Sequence, residues 1–164
     1  MRDVPDYPSA GILFKDITPV LGDRGALRAA VEGMVALVHP DEIDVVVGIE
    51  ARGFILGAAV ALGLGTGFVP VRKVGKLPHR THAMSYDLEY GSAEIEVHAD
   101  AFAGARRALV VDDVLATGGT AAAACGLVER AGAQVVAFAV LIELEALGGR
   151  AALPERDVRS VLRV

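Results

Sequence analysis

Short apolar runs alternate along the chain with longer stretches of helical character. The short runs are rich in valine and isoleucine, which is typical of buried strands, and they lie at residues 44–49, 66–71, 108–111, 134–141 and 157–164. The longer stretches predict helices at residues 23–38, 54–62 and 118–131; in the first, apolar residues recur every three or four positions. This alternation predicts an α/β fold: a mostly parallel, twisted sheet with right-handed crossovers and helices on both faces.

Three segments depart from this alternation. Residues 1–10 contain two prolines and predict an irregular arm, and residues 11–19 show no helical period. The second segment has two interpretations: its apolar side packs on the domain, or its exposed aromatic group sandwiches a flat heterocycle. Residues 85–98 alternate around a turn at Gly91 and Ser92 and predict a β-hairpin flap.

Composition limits the class of protein. A chain of 164 residues that is 53% hydrophobic and 23% charged is expected to form a single domain with a substantial core. The net charge of −5 argues against a general nucleic-acid or anionic-membrane binder. The single cysteine, Cys125, falls in a predicted helix and is expected to be a buried structural thiol of a reducing compartment. No signal peptide or spanning segment is visible, so we expect a cytoplasmic protein.

The most informative stretch is Val111-Asp112-Asp113-Val114-Leu115-Ala116-Thr117-Gly118-Gly119-Thr120, which joins a predicted strand to a predicted helix. A helix N-terminus with small residues suits a phosphate group. Two carboxylates beside a bare phosphate would repel it, but they suit sugar hydroxyls or a Mg²⁺ ion that the ligand carries. The stretch therefore indicates a phosphorylated sugar. The alternative is an ordinary strand–loop–helix turn with capping Asp and Thr residues.

Two further segments are candidates for anion binding. The turn Glu50-Ala51-Arg52-Gly53 again follows a strand and precedes a helix, and Arg52 adds a planar cation suited to a diphosphate. The segment 72–80 is basic and broken by glycine and proline, and it could close over a polyanion and exclude water. For both segments the alternative is an ordinary solvated surface loop.

The stretch from Val111 to Thr120 resembles the 5-phosphoribosyl-1-pyrophosphate (PRPP) binding motif of the type I phosphoribosyltransferases. The resemblance implies that Asp112 and Asp113 contact the ribose hydroxyls. It also implies Mg²⁺ as cofactor, held mainly by PRPP with these two carboxylates nearby. The residues implied to hold the 5′-phosphate are Ala116, Thr117, Gly118, Gly119 and Thr120.

Three other segments resemble the adenine phosphoribosyltransferases within that family. The segment from Pro8 to Pro19 is similar to their N-terminal hood, which implies that Phe14 stacks on adenine between Leu13 and Lys15. Many relatives have arginine where Lys15 stands, so only its backbone role carries over. The same resemblance places Leu144 on the second face of the base, and it builds the hood from residues 1–20 and the turn at 142–150.

The turn from Glu50 to Phe54 resembles the pyrophosphate loop of the same enzymes, with Arg52 as a catalytic residue and a cis peptide bond between Glu50 and Ala51. The residues implied to bind pyrophosphate are Glu50, Ala51, Arg52, Arg72, Lys73 and Lys76. The segment from Ser85 to Gly91 resembles their flap, within a mobile region at 73–98. Its Glu89 would exchange a proton with the purine, and its Tyr90 would lie beside the site.

Taken together, the resemblance implies transfer of the phosphoribosyl group of PRPP to adenine, with AMP and pyrophosphate as products, by a homodimer. Two alternatives stay open at this point. In the first, the reaction is the same but the base is hypoxanthine, guanine or xanthine, a choice that depends on the base pocket. A PRPP-sensing regulator could share the fold, although Glu89 and the basic flap favour an enzyme.

Overall fold

The computed structural model describes residues 1–7, 10–11, 13–87, 92–103 and 106–164. The strands in this part of the chain are β1 (Arg2–Pro5), β2 (Leu13–Asp16), β3 (Val45–Ile49), β4 (Gly67–Lys73), β5 (Thr81–Asp87), β6 (Ser92–His98), β7 (Arg107–Leu115), β8 (Gln134–Glu143) and β9 (Val158–Arg163). The helices are α1 (Thr18–Gly22), α2 (Arg24–Val35), α3 (Arg52–Leu64) and α4 (Gly119–Arg130). Short 3₁₀ helices lie at Pro40–Glu42, Glu145–Leu147 and Gly149–Ala152.

Seven strands form one sheet in the order β5-β6-β4-β3-β7-β8-β9. The five strands from β4 to β9 in this order pair in parallel, while β6 pairs antiparallel with both β4 and β5. The predicted mostly parallel sheet is therefore confirmed. The predicted flap corresponds to the β5–β6 hairpin, which begins four residues earlier than expected and pairs from Thr81 with His98 to Asp87 with Ser92.

Helices cover both faces of this sheet, as predicted. On one face, Val46 and Leu109 pack in a core with Met34 of α2 and Leu56 of α3. On the other face, alternate residues of the same strands pack against α4 in a second core. Cys125 of α4 is fully buried in this second core, as expected, and burial raises the pKa of its thiol to about 12.

The prediction of an irregular N-terminal arm is wrong. Strands β1 and β2 pair antiparallel in a separate two-stranded sheet, with Arg2 opposite Asp16 and Asp3 opposite Lys15. Each opposite pair is also an ion pair, and the nitrogen and oxygen of Lys15 and Asp3 lie 2.8 Å apart. Four-residue strands with a proline have no recognisable alternation of apolar and polar residues, so the sequence pattern did not reveal this hairpin, in which Val4 also lies opposite Phe14.

Helix boundaries differ modestly from those expected. Helix α2 ends at Val35 rather than Val38, because the chain tightens into a turn in which Leu37 and Val38 donate to Met34 and Val35. Helix α3 begins at Arg52, two residues earlier than expected. None of the helices in the described ranges has the length and apolar character needed to cross a membrane.

Candidate functional site

The site lies where strands β3 and β7 end at different heights. Pairing between these strands stops at Gly48 and Val111, whereas β7 continues to pair with β8 as far as Leu115 and Glu143. The aspartate pair therefore lies inside the last part of β7, and not after the strand as predicted. The sequence pattern missed this because the charged pair interrupts the apolar run while the backbone ladder continues.

A cavity of about 250 Å³ opens beside this extension of β7. It brings the turn after β3 next to the aspartate pair and the start of α4, which come much later in the sequence. The lining residues are Glu50, Ala51, Arg52, Tyr86, Asp112, Asp113, Val114, Leu115, Ala116, Thr117, Gly118, Gly119, Thr120 and Ala121. Every residue predicted to contact the ribose or the 5′-phosphate is among them.

The two carboxyl groups have unfavourable surroundings for ionisation. Burial raises the pKa of Asp112 well above its usual range, and the neighbouring Asp113 raises it further. Burial also raises the pKa of Asp113, although the guanidinium of Arg52 opposes this effect. A ligand that donates hydroxyl hydrogens, or that carries a cation, would relieve this repulsion.

Arg52 forms an ion pair with Asp113. Nε of Arg52 lies 2.8 Å from Oδ2 of Asp113, whose side chain is only 3% exposed. Oδ2 has almost no exposed surface and accepts no hydrogen bond from the described part of the chain, because the Arg52 N–H is poorly aligned with it. The contact between Arg52 and Asp113 is therefore an ion pair without an aligned hydrogen bond.

The loop before α4 is shaped for close approach of an anion. Gly118 caps the helix with φ of +89°, a left-handed conformation that favours glycine. The first N–H groups of a twelve-residue helix point out of its N-terminus with the positive end of the helix dipole. These features fit a phosphate at residues 116–120.

Glu50 has a different environment from that expected of a pyrophosphate ligand. Its carboxylate accepts a hydrogen bond of 3.0 Å from the Lys73 backbone N–H and one of 3.3 Å from Nη2 of Arg72. These donors hold the pKa of Glu50 below its usual value against the effect of burial. Glu50 therefore orients Arg72 beside the cavity. The expected cis peptide bond between Glu50 and Ala51 is confirmed.

The basic segment after β4 is fastened by a buried carboxylate that the sequence analysis did not single out. Glu96 of β6 is 4% exposed and accepts hydrogen bonds of 2.9 Å from the backbone N–H groups of both Lys76 and Leu77. Burial opposes ionisation of Glu96, but these donors outweigh it and lower its pKa. The side chains of Lys73 and Lys76 are exposed, and neither lines the cavity.

A second cavity, of about 330 Å³, adjoins the first at Arg52. Phe14 lies in the wall of this cavity. The Tyr7 ring meets the Phe14 ring edge-on at a centroid distance of 5.1 Å. The guanidinium carbon of Arg52 lies 5.2 Å from the centroid of the Phe14 ring. The lining residues are Val4, Tyr7, Phe14, Asp16, Thr18 and Arg52. Tyr7 was missed by sequence reasoning, although an aromatic residue between two prolines was the available signal.

The remaining predicted residues are placed less centrally. Leu13 is half-exposed, and Nζ of Lys15 bonds Asp3 across the hairpin, so its side chain is engaged away from the cavity. Leu144 packs against the core beneath α2 and α3 and lines neither cavity. Glu89 and Tyr90 lie outside the described residues. Within the described ranges, no group of three or more His, Cys, Asp or Glu residues could hold a metal ion.

Comparison with known proteins gives a consistent picture. Residues 21–162 match the family model of the phosphoribosyl transferase domain. The chain is 60% identical to the adenine phosphoribosyltransferase of Acidothermus cellulolyticus, over all of this chain and 93% of that protein. It is 57% identical to the corresponding protein of Methylococcus capsulatus, over 99% and 95% of the two chains.

Solved structures of adenine phosphoribosyltransferases superpose on nearly the whole chain. The structure from Thermoanaerobacter pseudethanolicus has a TM-score of 0.96 at 45% identity and covers 99% of this chain and 95% of that one. The structure from Giardia lamblia in complex with 9-deazaadenine has a TM-score of 0.93 at 42% identity, with coverages of 99% and 93%.

Proposed function

The chain belongs to the phosphoribosyl transferase family and transfers the phosphoribosyl group of PRPP to adenine, and we propose that the two cavities joined at Arg52 bind these two substrates. The observation that carries this proposal is the double position of Arg52, which lines both cavities. The reaction forms a bond between C1 of the ribose and a nitrogen of the base, so the two binding sites must lie next to each other.

We place PRPP in the first cavity, which is lined by the aspartate pair and the start of α4. Its 5′-phosphate binds at residues 116–120, and its ribose hydroxyls donate to Asp112 and Asp113. Its pyrophosphate lies against the backbone of Glu50 and Ala51 and the side chain of Arg52, and Arg72, which the Glu50 carboxylate orients, adds positive charge. The exposed Lys73 and Lys76 approach this group from the basic segment.

The chemistry follows from the charges of these residues. Pyrophosphate leaves C1 of the ribose as the base nitrogen attacks, so negative charge grows on the diphosphate and positive character grows on the ribose. Arg52 and Arg72 stabilise the first charge, and the two aspartates stabilise the second. A Mg²⁺ ion would be carried by PRPP beside Asp112 and Asp113, whose unrelieved repulsion fits a nearby cation, and it would neutralise part of the diphosphate charge.

Adenine occupies the aromatic cavity. Phe14 stacks on its ring, and the backbone near Leu13 and Lys15 reads its edge. The family resemblance adds Leu144 to the second face, Glu89 as the group that exchanges a proton with the base, and Tyr90 beside it.

We propose that the protein acts in the cytoplasm and that its partner is a second copy of the same chain. Helix α3 exposes Ile55 and Leu62, the latter 82% exposed, on a face with no charged side chain between them. Such residues are commonly covered by another subunit. Sedimentation of the purified protein tests this assignment, and a monomer at assay concentration would contradict it.

The function is tested by following nucleotide formation from purified protein, PRPP and Mg²⁺ with adenine, hypoxanthine or guanine in separate reactions. AMP from adenine alone is the expected result. Product from another base would keep the PRPP site and overturn the aromatic pocket as an adenine site. PRPP binding without any product would instead support a regulator.

A further inference from the structure

The turn at Gly149–Ala152 lies directly behind the loop that begins α4. A Cβ atom built on Gly149 would come within 2.3 Å of the Ala116 carbonyl oxygen, and one on Gly118 within 2.3 Å of the Gly149 carbonyl oxygen. Real Cβ atoms do not approach other atoms so closely, so the two backbones touch with no room for a side chain. The turn therefore sets the position of residues 116–118.

Arg150 holds this turn to the sheet. Its Nη2 donates to Oε2 of Glu143 at 2.7 Å, its Nε donates to Oε1 of the same carboxylate, and its Nη1 donates to the Val158 carbonyl at 2.9 Å. Glu143 is 4% exposed at the end of β8, and it also accepts from the Ser160 hydroxyl of β9. A two-pronged contact between an arginine and a buried carboxylate is both directional and rigid.

We propose that Arg150 is a positioning residue for PRPP. It touches no substrate in this scheme. Through the Glu143 carboxylate it fixes Gly149, and Gly149 holds the phosphate-binding backbone at Ala116 to Gly118. The inference rests on the proposed placement of the 5′-phosphate at this loop. If the turn at Gly149–Ala152 were less rigid, helix α4 would stay in place but the backbone N–H groups at residues 116–118 would be less well positioned. Binding of the 5′-phosphate of PRPP should therefore weaken, while adenine binding stays unchanged.

Arg159 provides a matched control. Its Nε and Nη2 donate to Asp157, and its Nη1 donates to the Leu37 carbonyl. Like Arg150 it bonds one carboxylate and one backbone carbonyl, although both of its carboxylate bonds go to the single oxygen Oδ2, and it lies on the side of the sheet that carries α2. We expect Arg150→Gln to raise the KM for PRPP about tenfold or more, with the adenine KM and kcat within about twofold of the unaltered enzyme. Arg159→Gln should leave both KM values unchanged.

Direct binding separates this inference from the proposed function. Calorimetric titration with ribose 5-phosphate should show weaker binding to Arg150→Gln than to the unaltered enzyme or to Arg159→Gln. If the unaltered enzyme does not bind ribose 5-phosphate, the phosphate placement itself is wrong. If it binds and Arg150→Gln binds equally well, only the positioning role is overturned.

Glycine variants provide an independent test in case Arg150→Gln fails to fold. Gly149→Ala places a methyl group against the Ala116 carbonyl and should raise the PRPP KM, whereas Gly67→Ala, with no atom near its Cβ, should not. An unchanged PRPP KM in a folded Gly149→Ala protein would overturn the inference. So would equal increases in both KM values that simply follow a lowered melting temperature.

Discussion

Nε of Arg52 lies 2.8 Å from Oδ2 of Asp113, which joins the first turn of α3 to the carboxylate pair of β7. The guanidinium carbon of Arg52 also lies 5.2 Å from the centroid of the Phe14 ring, a distance typical of a cation–π contact. One side chain thus touches the acidic floor of one cavity and the aromatic wall of the other. A planar guanidinium can make both contacts at once and still present further N–H donors.

Arg52→Lys tests the importance of this planar group. Lysine retains the positive charge but loses the flat surface over Phe14 and the second donor toward a diphosphate. We expect kcat/KM for PRPP to fall by about 10²- to 10³-fold, the range for removal of one preorganised donor from a transition state. Steady-state kinetics measure this, with Arg28→Lys on the exposed face of α2 as the control. Near-normal kinetics would remove Arg52 from the reaction.

Asp112→Asn should make the free protein more stable and the enzyme less active. The pKa of Asp112 is raised in the folded state, so its ionisation costs stability as the pH rises from the usual value through the raised one. Asparagine avoids that cost while its amide oxygen can still accept from the Asp113 N–H, which lies 2.9 Å from the carboxylate. We expect a gain of about 1 kcal/mol at pH 8, or roughly 2–4 °C in melting temperature, and a smaller gain at pH 5.

Asp44→Asn is the matched control with the opposite sign. Hydrogen bonds from Arg107 lower the pKa of Asp44 to about 2. Its stabilising effect is therefore complete above its usual pKa and is lost as the pH falls toward 2. Asparagine at this position should lower the melting temperature at neutral pH and make little difference in strong acid. The same direction of change for both variants at pH 8 would contradict the electrostatic account.

Phe14→Ala should weaken adenine binding alone. Stacking of an aromatic side chain on a base is worth about 1–3 kcal/mol, so the KM for adenine is expected to rise roughly 5- to 150-fold. The KM for PRPP should stay nearly constant, and Phe14→Tyr should retain most of the affinity. If the alanine variant keeps the adenine KM of the unaltered enzyme, Phe14 serves only to pack the hairpin.

Glu96→Ala should release the basic segment, and Glu96→Gln should largely retain it. Alanine leaves the N–H groups of Lys76 and Leu77 without their acceptor, at a cost of about 1–3 kcal/mol, whereas glutamine keeps an acceptor oxygen. Hydrogen exchange at these two amides should accelerate in the alanine variant, together with weaker inhibition by pyrophosphate. Glu94→Ala, an exposed position on the same strand, is the control. Exchange at these amides that is as slow in Glu96→Ala as in the unaltered protein would show that Glu96 does not fasten the segment.

The parts of the fold that sequence reasoning predicted are those with a local signature. Five buried runs rich in valine and isoleucine identified the parallel strands, and the small residues before α4 identified the turn at which we place the 5′-phosphate. The N-terminal hairpin was not predicted, because its strands pair residues such as Arg2 and Asp16, which no short window contains.

The residues proposed to contact the substrates were predicted better than the residues that hold them in place. Asp112, Asp113 and Arg52 converge as expected, but Glu50 turned out to orient Arg72, because its surroundings depend on where β4 ends. Tyr7, Glu96 and Arg150 were not assigned site roles for the same reason. Their partners lie between 7 and 20 residues away in the chain, and only the folded arrangement brings them together.

The unequal lengths of β3 and β7 give the molecule its cleft without the help of any side chain. From Asp112 to Leu115, about 10 Å at the usual strand rise, the edge of β7 that faces away from β8 is not paired with β3. The cleft lies beside the part of β7 that has no pairing with β3, and its size is set by where β3 ends. Side chains along such a step can be exchanged without closing it. The frame that receives the sugar phosphate can therefore remain constant while the hairpin beside it is remodelled for a different base.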